Sequence, residues 1–83
     1  MGAGVVEVKM TQQGANMTDG DIMEWFVSVG DRVEKGDDIA RVEAAKATFN
    51  ISAPVSGVIA SIDKEQYETV LVGEVIATIK PEE

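Results

Sequence analysis

The chain has neither cysteine nor histidine among its 83 residues, and its aromatic side chains are limited to one tryptophan, one tyrosine and two phenylalanines. Without cysteine a disulfide framework is excluded, and the usual zinc sites are excluded as well. The same absences remove the thiol and the imidazole on which much covalent and acid–base catalysis depends. We therefore expect a small domain that is stabilised by packing alone and is not itself an enzyme.

Basic residues are also scarce. Lysine and arginine together number 7 against 15 aspartates and glutamates, which gives a net charge of −8. Nucleic acids and anionic membranes attract basic surfaces, so neither is an expected partner. No apolar run approaches the roughly 20 residues of a membrane-spanning helix, and no signal peptide is visible. The acidic surface fits either simple solubility or docking onto basic patches of partner proteins.

The sequence repeats itself with an offset of 37 residues. The matching pairs are Gly20 and Gly57, Ile22 and Ile59, Asp31 and Glu68, Val33 and Val70, Gly36 and Gly73, Ile39 and Ile76, Ala40 and Ala77, and Val42 and Ile79. Two copies are too few for a solenoid, so the repeat predicts two interlocked halves of one domain. At this offset Lys46 falls opposite Lys9 and Glu83. We therefore expect Lys46 to lie at the opposite end of the domain from the chain termini.

Short apolar runs separated by glycine turns predict an all-β domain, because no segment keeps a helical period over three turns. Turns are expected at Gly30-Asp31 and Gly36-Asp37. The predicted strands cover residues 5–10, 22–29, 39–43, 48–52, 57–62, 70–72 and 75–79. Eight or so short strands of this kind are typical of a sandwich or a flattened barrel.

The run from 22 to 29 predicts a bulged strand, since Ile22 and Trp25 have opposite parity. Trp25, Val27 and Val29 would then share one face. Phe26 would lie on the other face, either partly exposed or packed under a loop. The residues that we expect in the core, each stabilising the fold by about 1.5–3 kcal/mol when buried, are Trp25, Val27, Ile39, Val42, Val58, Ile76 and Ile79.

Lys46 is the side chain that stands out, because small residues flank it between two predicted strands. This arrangement predicts a long nucleophilic amine at a hairpin tip. A solvated surface role is the default for a lysine, and the other four lysines, Lys9, Lys35, Lys64 and Lys80, receive that interpretation. The loop Ala45-Lys46 lacks the Asn-Gly or Asp-Gly signal of tight hairpins. Either the loop is strained for a functional reason, or its turn is of a more permissive type.

Five motifs follow one another in an order that is more specific than any one of them alone. They are Met17-Thr18-Asp19-Gly20-Asp21-Ile22 with Trp25, Gly30-Asp31-Arg32-Val33-Glu34-Lys35-Gly36-Asp37, Val42-Glu43-Ala44-Ala45-Lys46-Ala47-Thr48, Ala53-Pro54-Val55-Ser56-Gly57, and Val70-Leu71-Val72-Gly73-Glu74-Val75-Ile76-Ala77. In this order they resemble the lipoyl domains of 2-oxo acid dehydrogenase acyltransferases. The resemblance runs from Val5 to about Lys80.

The resemblance implies a flattened barrel of two four-stranded antiparallel sheets with quasi-twofold symmetry, and it places Lys46 on an exposed hairpin tip. It implies that Lys46 carries lipoate in amide linkage and that partner enzymes recognise the residues around it, Glu43, Ala44, Ala45, Ala47 and Thr48. The domain would be a non-catalytic swinging-arm carrier of acyl groups and reducing equivalents, with the chemistry supplied by the cofactor.

The implied partners are a lipoate ligase or lipoyl transferase, a 2-oxo acid decarboxylase, the acyltransferase core and dihydrolipoamide dehydrogenase. Residues 1–80 would form the carrier domain, and residues 81–83 would begin a linker or tail. The implied compartment is the cytoplasm in a bacterium or the mitochondrial matrix in a eukaryote.

The sequence departs from the family pattern around the lysine and in one turn. Ala44 and Ala45 replace the family's Thr-Asp, and we hypothesise that this weakens recognition by the decarboxylase more than modification of the lysine. Tyr67 stands where the family has glycine, so its turn either avoids positive φ or is strained. The segment from Glu43 to Ala47 is also close to the Glu-Ala-Met-Lys-Met of biotinyl domains, although both methionines are absent. A biotin carboxyl carrier and an unmodified interaction domain are therefore the alternatives.

Overall fold

The computed structural model describes residues 4–82, and over this range the protein is all-β, as predicted. The strands are β1 Val6–Lys9, β2 Asp19–Trp25, β3 Arg32–Val33, β4 Asp38–Ala44, β5 Ala47–Ser52, β6 Gly57–Ile62, β7 Thr69–Leu71 and β8 Val75–Pro81. They form two four-stranded antiparallel sheets with the orders β1-β8-β6-β3 and β5-β4-β2-β7. No helix in the described range is long and apolar enough to cross a membrane.

The 37-residue repeat is the quasi-twofold symmetry of these two sheets. Ile22 of β2 lies opposite Val42 of β4, and at the same offset Ile59 of β6 lies opposite Ile79 of β8. Each pairing has a register shift at the same place, between Ile22 and Glu24 in one sheet and between Ile59 and Ser61 in the other. The first of these shifts confirms the predicted bulge before Trp25. The short strands β3 and β7 are equivalent in the same way.

The outermost strands β1 and β5 do not follow the 37-residue offset. Val8 of β1 pairs with Ala77, as Ile51 of β5 pairs with Ala40. Lys9 is therefore equivalent to Ser52, and the expectation that Lys9 matches Lys46 is wrong. Glu83, the other residue expected opposite Lys46, lies outside the described residues.

The chain end and the β4–β5 hairpin tip nevertheless lie at opposite ends of the domain, as predicted. The Gly36 amide donates to the Ala53 carbonyl at 2.9 Å and closes the end of the hairpin away from its tip. The Ser56 hydroxyl accepts a hydrogen bond from the Lys35 amide at this same end, and the Ser56 carbonyl accepts one from the Glu82 amide. Pro81 belongs to β8, and where the domain gives way to a linker stays a prediction.

A continuous core lies between the sheets. Its buried members are Val8, Met10, Ile22, Val33, Ile39, Ala40, Val42, Ile51, Ala53, Ile59, Val70, Ile76, Ala77 and Ile79. Trp25 and Val27 pack against it while only partly buried. Gly57 is buried at a close approach of strands, since a Cβ there would lie 2.1 Å from the Lys80 carbonyl oxygen.

One core prediction, at Val58, and one strand-face prediction, at Val29, are wrong. Val58 is 39% exposed because it alternates with the inward-facing Gly57 and Ile59 and so points to solvent. Val29 is 60% exposed because β2 ends at Trp25, so Val29 does not share a strand face with it. Phe26, just past the end of the strand, is 43% exposed, which agrees with the prediction of partial exposure.

The strand bounds also differ from the predictions. The second strand begins at Asp19 rather than at residue 22, and the two-residue strand β3 was not predicted at all. β3 has no alternation of its own to detect, because only its pairing with Val58 and Gly57 of β6 defines it.

Candidate functional site

Lys46 occupies the tip of the hairpin that joins β4 and β5. The ladder between these strands closes with Ala44 opposite Ala47, which leaves Ala45 and Lys46 as a two-residue loop. Neither loop residue has a positive φ. The turn is therefore of the permissive type, which explains why it needs no Asn-Gly or Asp-Gly sequence.

The Lys46 side chain is exposed and takes part in no ion pair among residues 4–82. By contrast, Lys9 lies 3.8 Å from Glu7, and Lys64 lies 3.9 Å from Glu68. Lys35 is also exposed in a turn, so exposure alone does not distinguish Lys46. What distinguishes it is the long hairpin that fixes its backbone and the open space beside it.

A cleft of about 420 Å³ lies beside the tip, between residues 44–47 of the hairpin and residues 13–19 of the loop that joins β1 and β2. The loop is folded on itself, since the Gln12 amide side chain donates to the carbonyls of Ala15 and Met17 at 3.3 and 3.4 Å. Thr18 accepts a hydrogen bond from the Val72 amide at 3.0 Å. A chain extended from Lys46 thus has room on this side of the tip.

The predicted recognition residues come together around Lys46. Ala44 is partly buried, while Ala45 and Ala47 are exposed and present only methyl groups. Glu43 and Thr48 are exposed and lie directly opposite each other one step below the tip. The loop 13–19 was not assigned to this site from the sequence. The family motif that begins at Met17 overlaps this loop, and that overlap is the sequence signal that could have placed the loop beside the lysine.

Glu43 also pairs across the other side of β4 with Asp21 of β2. Asp21 accepts a hydrogen bond from the Thr69 hydroxyl at 2.6 Å. The result is an acidic face next to the lysine, extended by Asp19 at the start of β2. Within residues 4–82 no group of three or more acidic side chains is arranged to hold a metal ion.

An amide-linked cofactor fits the chemistry of this tip. The site offers one exposed primary amine, no bulky neighbour and an open cleft. It offers no imidazole or thiol, since the chain has neither histidine nor cysteine.

Comparisons with known proteins agree with this geometry. The chain is 43% identical over 72 residues to the dihydrolipoyllysine-residue acetyltransferase component of the pyruvate dehydrogenase complex of Corynebacterium glutamicum, covering 87% of this chain and only 11% of that protein. It is similar, with a TM-score of 0.73 and 28% identity, to the lipoyl domain of the 2-oxoglutarate dehydrogenase complex of Azotobacter vinelandii, covering 89% and 94% of the two chains.

The same fold occurs in a carboxylase. The urea carboxylase of Kluyveromyces lactis matches with a TM-score of 0.78 and 25% identity, covering 92% of this chain and 6% of that one. A family model described as "Biotin-requiring enzyme" matches residues 6–79. These comparisons confirm the resemblance and the fold predicted from the sequence: the chain belongs to the family of biotin- and lipoyl-attachment domains.

Proposed function

We propose that this chain is a lipoyl carrier domain, covalently lipoylated on Lys46, that shuttles acyl groups and reducing equivalents between the active sites of a 2-oxo acid dehydrogenase complex. The observation that carries the proposal is the position of Lys46, alone at the tip of a six-pair hairpin ladder with an open cleft beside it. The similarity to the lipoyl domain of such a complex supports it.

The hairpin has two tasks in this proposal. The ladder that ends at Ala44 and Ala47 fixes the Lys46 Cα, while the exposed side chain keeps its rotational freedom. A ligase would first activate the carboxyl group of the cofactor with ATP as an acyl adenylate, releasing pyrophosphate. The Lys46 amine would then displace AMP, which forms an amide and removes one positive charge from an already acidic domain. Once bound, lipoate supplies a dithiolane that accepts an acyl group and two electrons. Tethering raises its effective concentration at each partner site.

Lipoate is favoured over biotin by the residues on both sides of the lysine. Ala45 and Ala47 stand where biotinyl domains have methionines, and the segment that starts at Met17 follows the lipoyl pattern. The proposed partners are a lipoate ligase or lipoyl transferase, a 2-oxo acid decarboxylase, the acyltransferase core and dihydrolipoamide dehydrogenase. The acetyltransferase relative is bacterial, which favours the bacterial cytoplasm over the mitochondrial matrix.

Parallel loading reactions test the choice of cofactor. The domain is incubated with ATP, lipoate and a lipoate ligase, or with ATP, biotin and a biotin ligase, and its intact mass is measured. We expect the lipoyl adduct alone. A biotin adduct alone would establish the biotin carboxyl carrier instead, and the absence of both adducts would favour the unmodified interaction domain.

The loaded domain then tests the carrier role. We expect a 2-oxo acid decarboxylase to transfer an acyl group to it, and lipoylated protein that accepts none would contradict the shuttle. The same assay tests the hypothesis that Ala45, in place of the family's aspartate, weakens recognition by the decarboxylase. The acylation rates of Ala45→Asp and the parent are compared, and equal rates would remove the hypothesis.

A further inference from the structure

An exposed apolar pair marks the free edge of one sheet. β7 is an outermost strand of the sheet β5-β4-β2-β7. Tyr67, in the turn that leads into this strand, is 70% exposed, and Leu71 at its end is 55% exposed. Val70 between them is completely buried and anchors the strand to the core. The large side chains of Tyr67 and Leu71 therefore contribute little to the core.

The symmetry of the fold shows that neither side chain is needed to build this strand. At the 37-residue offset Tyr67 corresponds to Gly30, and Leu71 corresponds to Glu34 in the turn after β3. The other half makes the same turn, and its strand β3 pairs at the positions equivalent to Thr69 and Val70, without a large apolar residue at the position equivalent to Tyr67 or Leu71. Tyr67 also adopts a φ of 71°, which disfavours any residue other than glycine. Folding thus gives no reason for this pair.

Carboxylates that form no ion pair among the described residues border the apolar pair. Leu71 lies opposite Asp19, and Thr69 lies opposite Asp21. Asp21 in turn lies opposite Glu43, and like charges at directly opposed positions destabilise a sheet. Asp19, Asp21 and Glu43 form no ion pair with any residue in the 4–82 range. A protein surface of basic and apolar character would complement this face.

Leu71 and the three carboxylates lie toward the end of the sheet that carries the lysine, whereas Tyr67 lies beside the middle of β2, where its amide donates to the Ile22 carbonyl. Glu43 is three residues before Lys46 in the hairpin, and its row continues through Asp21 to Thr69. The tip itself offers a partner little more than the methyl groups of Ala44, Ala45 and Ala47. A ligase acts on the Lys46 amine at the tip, whereas an enzyme that reacts at the far end of the arm must hold the domain by a neighbouring surface. The edge strand beside the acidic row provides one.

We propose that Tyr67 and Leu71, together with Asp19, Asp21 and Glu43, form the docking surface for the 2-oxo acid decarboxylase, in an apolar groove rimmed by lysine or arginine. The inference rests on the proposed lipoyl carrier function. Aromatic and aliphatic anchors inside a polar rim are the usual source of binding energy in such contacts, and the carboxylates would add steering that weakens with salt.

The test uses a double variant that places a glycine and a small polar residue where the other half of the protein has glycine and glutamate. The double variant Tyr67→Gly with Leu71→Ser removes the apolar pair at positions where the fold tolerates glycine and a polar residue. The matched control is Val29→Gln, which removes an equally exposed apolar side chain from the position equivalent to Gln66. Each protein is first lipoylated with a lipoate ligase. Reductive acylation is then measured with a pyruvate-decarboxylating and, separately, a 2-oxoglutarate-decarboxylating component.

We expect the double variant to lose about tenfold or more in kcat/KM with the decarboxylase that acylates the parent, mainly through KM, and to be lipoylated at the parent's rate. The control should match the parent in both reactions, and the parent's KM should rise with salt. Unchanged acylation of the double variant, an equal loss in the control, or an equal loss in ligase rate would each overturn the docking surface. A parent domain that the ligase does not load, or that neither decarboxylase acylates, would instead overturn the proposed function and the docking surface with it.

Discussion

Tyr67 and Gly30 occupy equivalent turns in the two halves of the protein and adopt the same unusual backbone conformation. Their φ angles are 71° and 96°. The Tyr67 amide donates to the Ile22 carbonyl, and the Gly30 amide donates to the equivalent Ile59 carbonyl. A positive φ is unfavourable for a residue that has a Cβ, so the half that carries tyrosine is strained. Of the two possibilities predicted for Tyr67, the strained turn is the correct one.

The strain at this pair of turns is measurable by substitution. We expect Tyr67→Gly to raise the free energy of unfolding by about 0.5–1 kcal/mol, because relief of the unfavourable φ outweighs the greater entropy of glycine in the unfolded chain. Gly30→Ala should lower it by about 1–2 kcal/mol, since nothing lies within 4 Å of the added Cβ and only the backbone conformation is penalised. Urea unfolding measures both. Gly14→Ala, where the space is also open and φ is not positive, is the control and should change little.

Neighbouring residues of β6 test the assignment of its two faces. Ile59→Ala should lower the free energy of unfolding by about 2–5 kcal/mol, because the Ile59 side chain is buried and leaves a cavity. Val58→Ala should change it by no more than about 0.5 kcal/mol, because Val58 faces solvent. Chemical denaturation of the two variants gives the comparison. Similar losses for both would mean that the strand is not oriented as described.

Trp25 is held by a long-range hydrogen bond from its indole Nε1 to the Lys64 carbonyl oxygen, 2.9 Å away. Trp25→Phe should lower the free energy of unfolding by about 1 kcal/mol or somewhat more, because it removes the donor and some packing. Because the variant lacks the protein's only tryptophan, and with it the fluorescence signal, unfolding is followed by circular dichroism. Lys64→Ala is the control, because the acceptor is a backbone atom and the Lys64 ion pairs at 3.9 and 4.0 Å are weak. An equal loss in the control would assign the effect to the turn rather than to the indole.

Arg32 forms ion pairs with the nearby Glu34 and with Glu82, which follows β8. The second pair links β3 to the segment after β8. The hydrogen bond from Arg32 to Glu82 lowers the pKa of that carboxyl below its usual range. The group contributes stability above its unfolded-state pKa and loses that contribution as the pH falls through its folded-state pKa. The effect is small because both side chains are exposed. A carbon-detected NMR titration should show Glu82 titrating at lower pH in the parent than in Arg32→Gln, whereas Arg41→Gln should leave its midpoint unchanged.

The sequence predicted most of this architecture because its repeat and its alternation are local signals. The equivalence of β2 to β6 and of β4 to β8 could be read directly from the offset. Strand β3, the outward face of Val58 and the end of β2 at Trp25 could not, because each depends on pairing with a distant strand. The equivalence of Lys9 to Ser52 likewise appears only when the sheet order is known.

For the site as well, the sequence indicated what is local in the chain and not what distant segments form together. Lys46 and its five neighbours are contiguous in the chain, so a motif was enough to propose them as a site. The cleft formed with residues 13–19 and the carboxylate row from Glu43 to Asp21 join segments that are far apart in sequence. Other carboxylates have structural roles. Asp37 accepts a hydrogen bond from the Glu34 backbone amide, and Asp38 accepts one from the Asn50 side-chain amide.

Lipoylation of Lys46 is tested by intact-mass and peptide-mass measurement of the chain after incubation with lipoate, ATP and a lipoate ligase. The parent, Lys46→Arg and Lys35→Arg are compared, since Lys35 is another exposed turn lysine. We expect one lipoyl adduct, located on Lys46, in the parent and in Lys35→Arg, and none in Lys46→Arg. An adduct on Lys46→Arg, or none on the parent, would contradict lipoylation at Lys46.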